Sequence, residues 1–189
     1  MLKLNNLEKS FGRKKLFSNL SYEFADTGLY RIDGKSGVGK TTLLRLICGL
    51  DKNYSGEIIS DKPHNFSFLF QEHRLFPNLT LFENIRCVFD NSDNDEEIRN
   101  MLFELGFNEK DFSLYPSELS GGMQQRCAIA RALLFDSSVL LIDEPTKELD
   151  ESLKNKVYAL IKEESKNRLC ILVSHDDLSD FNFDGVIQL

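Results

Sequence analysis

The string Gly34-Lys35-Ser36-Gly37-Val38-Gly39-Lys40-Thr41 fits the pattern G-x-x-x-x-G-K-[ST]. Glycines at these intervals let successive backbone N–H groups turn inward around phosphate oxygens. A helix opening at Lys40 would add the positive end of its dipole to that attraction. The Lys40 ammonium would then neutralise the outer phosphates, and the Thr41 hydroxyl would ligate Mg²⁺. Further along, the wholly apolar run Val139-Leu140-Leu141-Ile142 ends in Asp143-Glu144. Two carboxylates at such a place suit a metal ligand, Asp143, and a base that takes a proton from water, Glu144. A third string, Leu119-Ser120-Gly121-Gly122-Met123-Gln124-Gln125-Arg126, sets a serine N-cap before two glycines, another anion-binding helix start.

These groups act together only if the chain brings them to one place. Residues 2–32 alternate apolar and polar types in short runs broken by Gly12 and Asp26-Thr27-Gly28, which predicts antiparallel strands leading into a strand at Leu29–Ile32. The glycine loop follows, then a helix over Lys40–Cys48 closed by Gly49. Ser55–Ile59 reads as turn plus strand, and Asn65–Phe70 as another strand. From Arg74 to Glu118 the pattern is helical and acidic, with helices at Leu81–Val88 and Glu96–Leu105, and residues 74–118 are expected to form a small helical subdomain. The run Asp90-Asn91-Ser92-Asp93-Asn94-Asp95 between them reads as a solvated helix start.

A helix over Gly122–Phe135, the strand Val139–Ile142, a helix over Ser152–Lys166 and strands at Leu169–Val173 and Gly185–Leu189 complete the chain. Apolar strands alternating with helices imply an α/β fold whose mainly parallel sheet is covered on both faces. Such sheets bind ligands beyond the carboxyl ends of their strands, which would put both acids beside the phosphate loop. The combination specifies a P-loop nucleotide hydrolase. One phosphate cradle serves one nucleotide, so the second at Ser120–Gly122 predicts two copies of the chain, each closing over the other's ATP.

With 189 residues, 41% hydrophobic and 28% charged, the chain suits one compact domain over 1–189. Thirty acidic against 23 basic residues, a net charge of −7, argue against a nucleic-acid partner. Cys48, Cys87, Cys127 and Cys170 are scattered with no C-x-x-C pair, which predicts reduced, mostly buried thiols rather than zinc or disulfides. The first residues lack the basic-then-apolar pattern of a signal peptide. No apolar run approaches the ~20 residues that cross a bilayer, so any membrane role must run through a partner.

The ordered motifs resemble those of ABC transporter ATP-binding subunits. Leu119–Arg126 is similar to that family's signature string, Gln71 after Phe66–Phe70 to its Q-loop glutamine, and Leu149-Asp150 to its D-loop. Ser174-His175-Asp176 resembles the switch histidine segment, and Phe11 the aromatic that stacks on adenine. The run from Phe70-Gln71-Glu72-His73-Arg74 through Leu75-Phe76-Pro77-Asn78-Leu79-Thr80, with Glu83-Asn84, most resembles importers of nitrate, sulfonate, taurine and related small anions. The resemblance implies that Gly34, Lys35, Ser36, Gly37, Val38, Gly39, Lys40, Thr41 and Thr42 hold ATP phosphates, with Mg²⁺ at Thr41, Asp143 and Gln71. Glu144 would be the general base, and His175 would hold the γ-phosphate and position the water. Ser120, Gly121 and Gly122 would contact ATP bound to a second copy. The implied partners are integral-membrane permease subunits, a second ATPase copy and a periplasmic or extracellular solute-binding protein, with the chain peripheral on the cytoplasmic face. An exporter or lipoprotein-release ATPase, or a non-transport ABC ATPase, is the alternative reading.

Some positions depart from the family pattern. Arg31 and Asp33 stand where relatives mostly carry apolar residues and are expected to pair with each other or with neighbours. Lys147-Glu148 replaces small residues before the D-loop, which is expected to weaken the dimer contact. Fourteen residues follow His175, so no C-terminal regulatory domain is expected. His64 and His73 read as surface or loop residues. Leu75, Phe76, Pro77, Leu79 and Phe82 crowd apolar surface just after Gln71. Either they pack on the helical subdomain, or they form a groove that receives a short helix of the membrane subunit.

Overall fold

The computed structural model describes residues 1–89, 94–179 and 181–189; the expected helix start at Asp90–Asp95 thus lies partly outside the described residues. β1 (Leu2–Phe11) and β2 (Lys14–Phe24) pair antiparallel, with Leu2, Leu4 and Leu7 of β1 buried. β4 (Ser55–Ser60) pairs with the other edge of β1, giving a three-stranded sheet in the order β2-β1-β4. β3 (Gly28–Asp33) instead enters a second sheet with β5 (Phe66–Leu69), β6 (Val139–Asp143), β7 (Leu169–Val173) and β8 (Gly185–Gln188). Its order is β5-β6-β7-β3-β8, and every neighbouring pair is parallel.

Every residue of β6 and β7 is buried, as a parallel sheet covered on both faces requires. The period of two divides those residues between two cores. Leu140, Ile142, Cys170 and Leu172 pack with α4 (Gly121–Leu134) and α5 (Glu151–Glu164). Val139, Leu141, Ile171 and Val173 pack with α1 (Lys40–Ile47) and the antiparallel sheet. Asp143 shares the parity of Val139 and Leu141, so its carboxylate turns to the α1 side.

The segment after Gln71 carries α2 (Leu81–Arg86), α3 (Asp95–Glu104) and 3₁₀ turns at Glu109–Asp111 and Pro116–Glu118. Thr80 and Glu83 form a capping box at the start of α2. The buried Ile85, Ile98, Leu102 and Phe107 join the same continuous cluster as α4 and β6, so this block shares the core of the sheet. Most element ends fall within one or two residues of the sequence reading, where frayed termini normally differ. The thiols divide differently from expectation: Cys127 and Cys170 are buried, Cys48 is half-buried and Cys87 is exposed, all of them free.

Candidate nucleotide site

β5, β6, β7 and β3 are neighbours, and their carboxyl ends carry Gln71, Asp143-Glu144, Ser174-His175 and the Gly34 loop in that order. Sheet order alone therefore converges residues far apart in the chain. Between them lies a cavity of ≈690 Å³, a usual size for a small-molecule site. Lys40, Thr41, Gln71, Asp143, Glu144 and His175 line it. Ser36, Gly37, Gly39 and Thr42 border the same space from the loop, and Phe11, 56% exposed, from the antiparallel sheet. Gly34, Lys35 and Val38 shape the loop behind this wall; the Lys40 ammonium donates to the Gly34 carbonyl at 2.7 Å, across the turn.

Gly39 precedes α1 at φ 120°, and a Cβ there would stand 3.1 Å from Leu16 Cδ1. The backbone region favours glycine, and a Cβ would also crowd Leu16. Lys40 is buried at the start of that helix. On the facing strand Asp143 lines the same cavity as Thr41. Burial pushes the Asp143 carboxyl above its ordinary range, while Thr41, Arg45 and Lys40 pull in the opposite direction.

Glu144 adopts φ 53°, a left-handed backbone uncommon for a residue with a Cβ. The turn is held from several sides. Its N–H donates to Val173 O at 2.9 Å, and Gln125 Nε2 donates to Pro145 O at 2.7 Å. Its carboxylate accepts the His175 backbone N–H at 3.2 Å, and His175 Nε2 lies 3.4 Å from Oε1. Burial raises the Glu144 pKa, opposed by the His175 N–H. The Glu144 side chain is 15% exposed and that of His175 58%.

Ser120, Gly121 and Gly122 lie outside this cavity. Ser120 Oγ caps α4 by accepting the Met123 N–H at 3.3 Å. Glu148 reaches over this helix start: a Cβ on Gly121 would stand 2.0 Å from Glu148 Oε2, so only glycine admits the contact. Glu148 Oε1 also lies 3.7 Å from His73 Nε2, whose other ring nitrogen contacts Gln124 Oε1 at 3.2 Å. His73 is a loop residue as expected, but it is only 19% exposed and joins the Q-loop segment to α4. Lys14, Lys147 and Lys154 line the cavity as well and were not singled out for it by the sequence, because no motif spacing marks them. Arg31 lies 3.8 Å from Asp33, the expected pairing, and it also donates to the Ser174 carbonyl at 3.5 Å.

The apolar run after Gln71 divides between its two readings. Leu75 and Phe82 pack on the core, and Phe82 stacks on Phe112 at 5.9 Å. Phe76 stays 53% exposed, beside a groove of ≈420 Å³ that also takes in Phe68, Phe70 and Arg131. The fully buried Asn84 fixes this loop by accepting the Phe76 N–H at 2.7 Å and donating to Leu79 O at 2.9 Å.

Fold and cavity together define a P-loop nucleotide-binding enzyme, with a strand ending in two carboxylates beside its phosphate loop and a second glycine-rich helix start outside its own cavity. Residues 17–147 match the family model described as ABC transporter. The chain is 39% identical to the aliphatic sulfonates import ATP-binding protein SsuB of Bacillus anthracis, over 92% of this chain and 74% of that protein. It is 34% identical to the glutamine transport ATP-binding protein GlnQ of Escherichia coli strain K12, over 93% and 81% respectively. Among solved structures, an ATP-binding cassette seen as a dimer in a post-hydrolysis state with ADP and Pi superposes with a TM-score of 0.82. That match has 29% identity and covers 93% of this chain and 88% of the other. The chain belongs to the ABC transporter family, as one of its ATP-hydrolysing subunits. Among the described residues no helix is long and apolar enough to cross a membrane.

Proposed function

We propose that the protein powers an importer of small anions such as sulfonates, as two ATPase copies bound to permease subunits on the cytoplasmic face of the membrane, with a solute-binding protein outside it. The observation that carries the two-copy reading is the glycine-rich start of α4, an anion-binding helix end with no place at its own cavity. The dimeric solved cassette supports it. The sulfonate importers among the relatives support the cargo class.

At the site, the backbone N–H groups of the Gly34–Thr42 loop and Lys40 hold the phosphates of ATP, and Phe11 offers its exposed ring to the base. Thr41, Asp143 and Gln71 present hydroxyl, carboxylate and amide oxygens to one cavity, a hard donor set that fits Mg²⁺. Bound there, Mg²⁺ would draw negative charge from the phosphate oxygens. Glu144 takes a proton from a water whose oxygen attacks the γ-phosphorus, and the bond to the bridging oxygen breaks to leave ADP. His175 holds a γ-phosphate oxygen. Ser120, Gly121 and Gly122 contact the γ-phosphate of the ATP on the other copy.

Sedimentation tests the two-copy reading. A Glu144→Gln variant that binds but does not turn over ATP is expected to shift from monomer to dimer with MgATP, and Ser120→Arg to block the shift. The Glu148 carboxylate stands where an incoming γ-phosphate needs positive potential. Adding Glu148→Ala should therefore bring dimerisation to several-fold lower protein concentration. A trapped, ATP-loaded protein that remains monomeric with alanine at 148 overturns the reading.

We further propose that the groove beside Phe76 receives a short helix of the permease. It opens on the segment that carries Gln71, so movement of that glutamine with nucleotide state would change the contact and couple hydrolysis to transport. Phe76→Asp is expected to abolish co-purification with the permease, with ATPase activity of the isolated subunit and its melting temperature close to the parent. Unchanged association would reject docking at this residue.

A further inference from the structure

Behind the cavity, Tyr158 of α5 is buried, with its ring 5.4 Å from Phe181. Its hydroxyl stands 2.7 Å from Asp176 Oδ2, 2.8 Å from Ser174 Oγ and 3.0 Å from Thr146 Oγ1. Thr146 also bonds Asp176 Oδ2, and the Asp176 N–H donates to Ser174 Oγ at 3.1 Å. Lys154 Nζ completes the group, 3.0 Å from Asp176 Oδ1. A carboxylate only accepts, so Tyr158 and Thr146 donate to Asp176, which leaves the Ser174 hydroxyl to donate to Tyr158. Burial pushes the Tyr158 phenol well above its ordinary pKa, so it keeps the proton it donates. Burial opposes the Asp176 charge too, but the hydrogen bonds from Thr146, Tyr158 and Lys154 outweigh it and lower its pKa.

The three partners are not arbitrary. Thr146 follows Glu144 by two positions, and Ser174 and Asp176 flank His175. His175 is largely exposed, so its own packing does not fix it, and Glu144 sits on a left-handed turn that needs support from its neighbours. We propose that Tyr158 is a positioning residue for ATP hydrolysis: its hydroxyl, bonded to Asp176 and Ser174, holds from α5 the carboxylate through which Thr146 ties the Glu144 loop to the His175 loop. A filler of this space needs no hydroxyl, and a buried hydroxyl is costly unless it is fully bonded, as it is here. The proposal rests on the roles given above to Glu144 and His175.

Tyr158→Phe keeps the ring against Phe181 and removes the clamp. The expected result is a kcat lower by about 10- to 100-fold, the scale of a small misplacement of reacting groups, with KM for ATP within twofold of the parent. Asp176→Asn should give a similar kcat loss. The double variant should lose no more than the worse single one, because both act through one network. A kcat for Tyr158→Phe within twofold of the parent overturns the clamp, as do additive losses in the double variant. So does a fall in ATP affinity and melting temperature that accounts for the lost rate. Glu144→Gln run alongside separates the two ideas. If it is inactive while Tyr158→Phe turns over normally, the clamp alone fails. If it is active, the base assignment fails, and the clamp stands or falls on the kcat of Tyr158→Phe.

Discussion

Glu144→Gln is expected to lower ATP turnover by ~10²–10⁴-fold, the usual worth of a general base, and to leave ATP affinity near that of the parent. The amide keeps the size of the carboxylate and can still accept the His175 backbone N–H at the position of Oε2, so the left-handed turn and the sheet end should hold. It cannot take the proton of the attacking water. The same carboxyl predicts a pH effect of definite sign. Its pKa is raised by burial, and the base works only when ionised, so kcat should fall as pH drops, with a midpoint above the ordinary carboxylate range. Single-turnover rates with fluorescent-nucleotide binding, from pH 5 to 8, measure all three quantities. Turnover within twofold of the parent would show that another group is the base. An acid limb that persists unchanged in the variant's residual rate would assign the titration to another group.

Lys40→Ala should act on binding rather than on the chemical step alone. The ammonium is buried at the start of α1 and bonded to the Gly34 carbonyl, so it is a cation fixed within the loop itself. Removing one partner of a desolvated charge pair typically costs about 2–5 kcal/mol. At about 1.4 kcal/mol per decade, that is roughly 30- to 3,000-fold in ATP affinity. AMP, which lacks the outer phosphates, should lose far less. Isothermal titration with ATP and AMP provides the comparison. Equal losses for both nucleotides would mean that the substitution disorders the loop, and no loss for ATP would free Lys40 of a phosphate role.

The amino-acid sequence by itself determined the local motifs and the layer plan. A phosphate loop is a short-range object, because its glycines, lysine and threonine act within one turn and the following helix. The runs Val139–Ile142 and Leu169–Val173 are too apolar for a wet face, so a parallel sheet covered on both sides was legible before any coordinates. Only the tertiary structure decided what meets what. Period two said that the residues of β6 face alternately, but the packing of α1 against one face is what turned Asp143 toward Thr41. Nothing local announced that Ser55–Ser60 would pair with β1, since register across that separation depends on where the rest of the chain folds. The apolar run after Gln71 could not be split from sequence into half-buried Leu75 and Phe82, packed on the core, and exposed Phe76, because burial there depends on Phe112 and α4. Tyr158 was silent for the same reason, and so were the contacts that His73 and Glu148 make. Each bonds residues far along the chain, and no spacing rule records a contact that exists only once the sheet has brought its strand ends together.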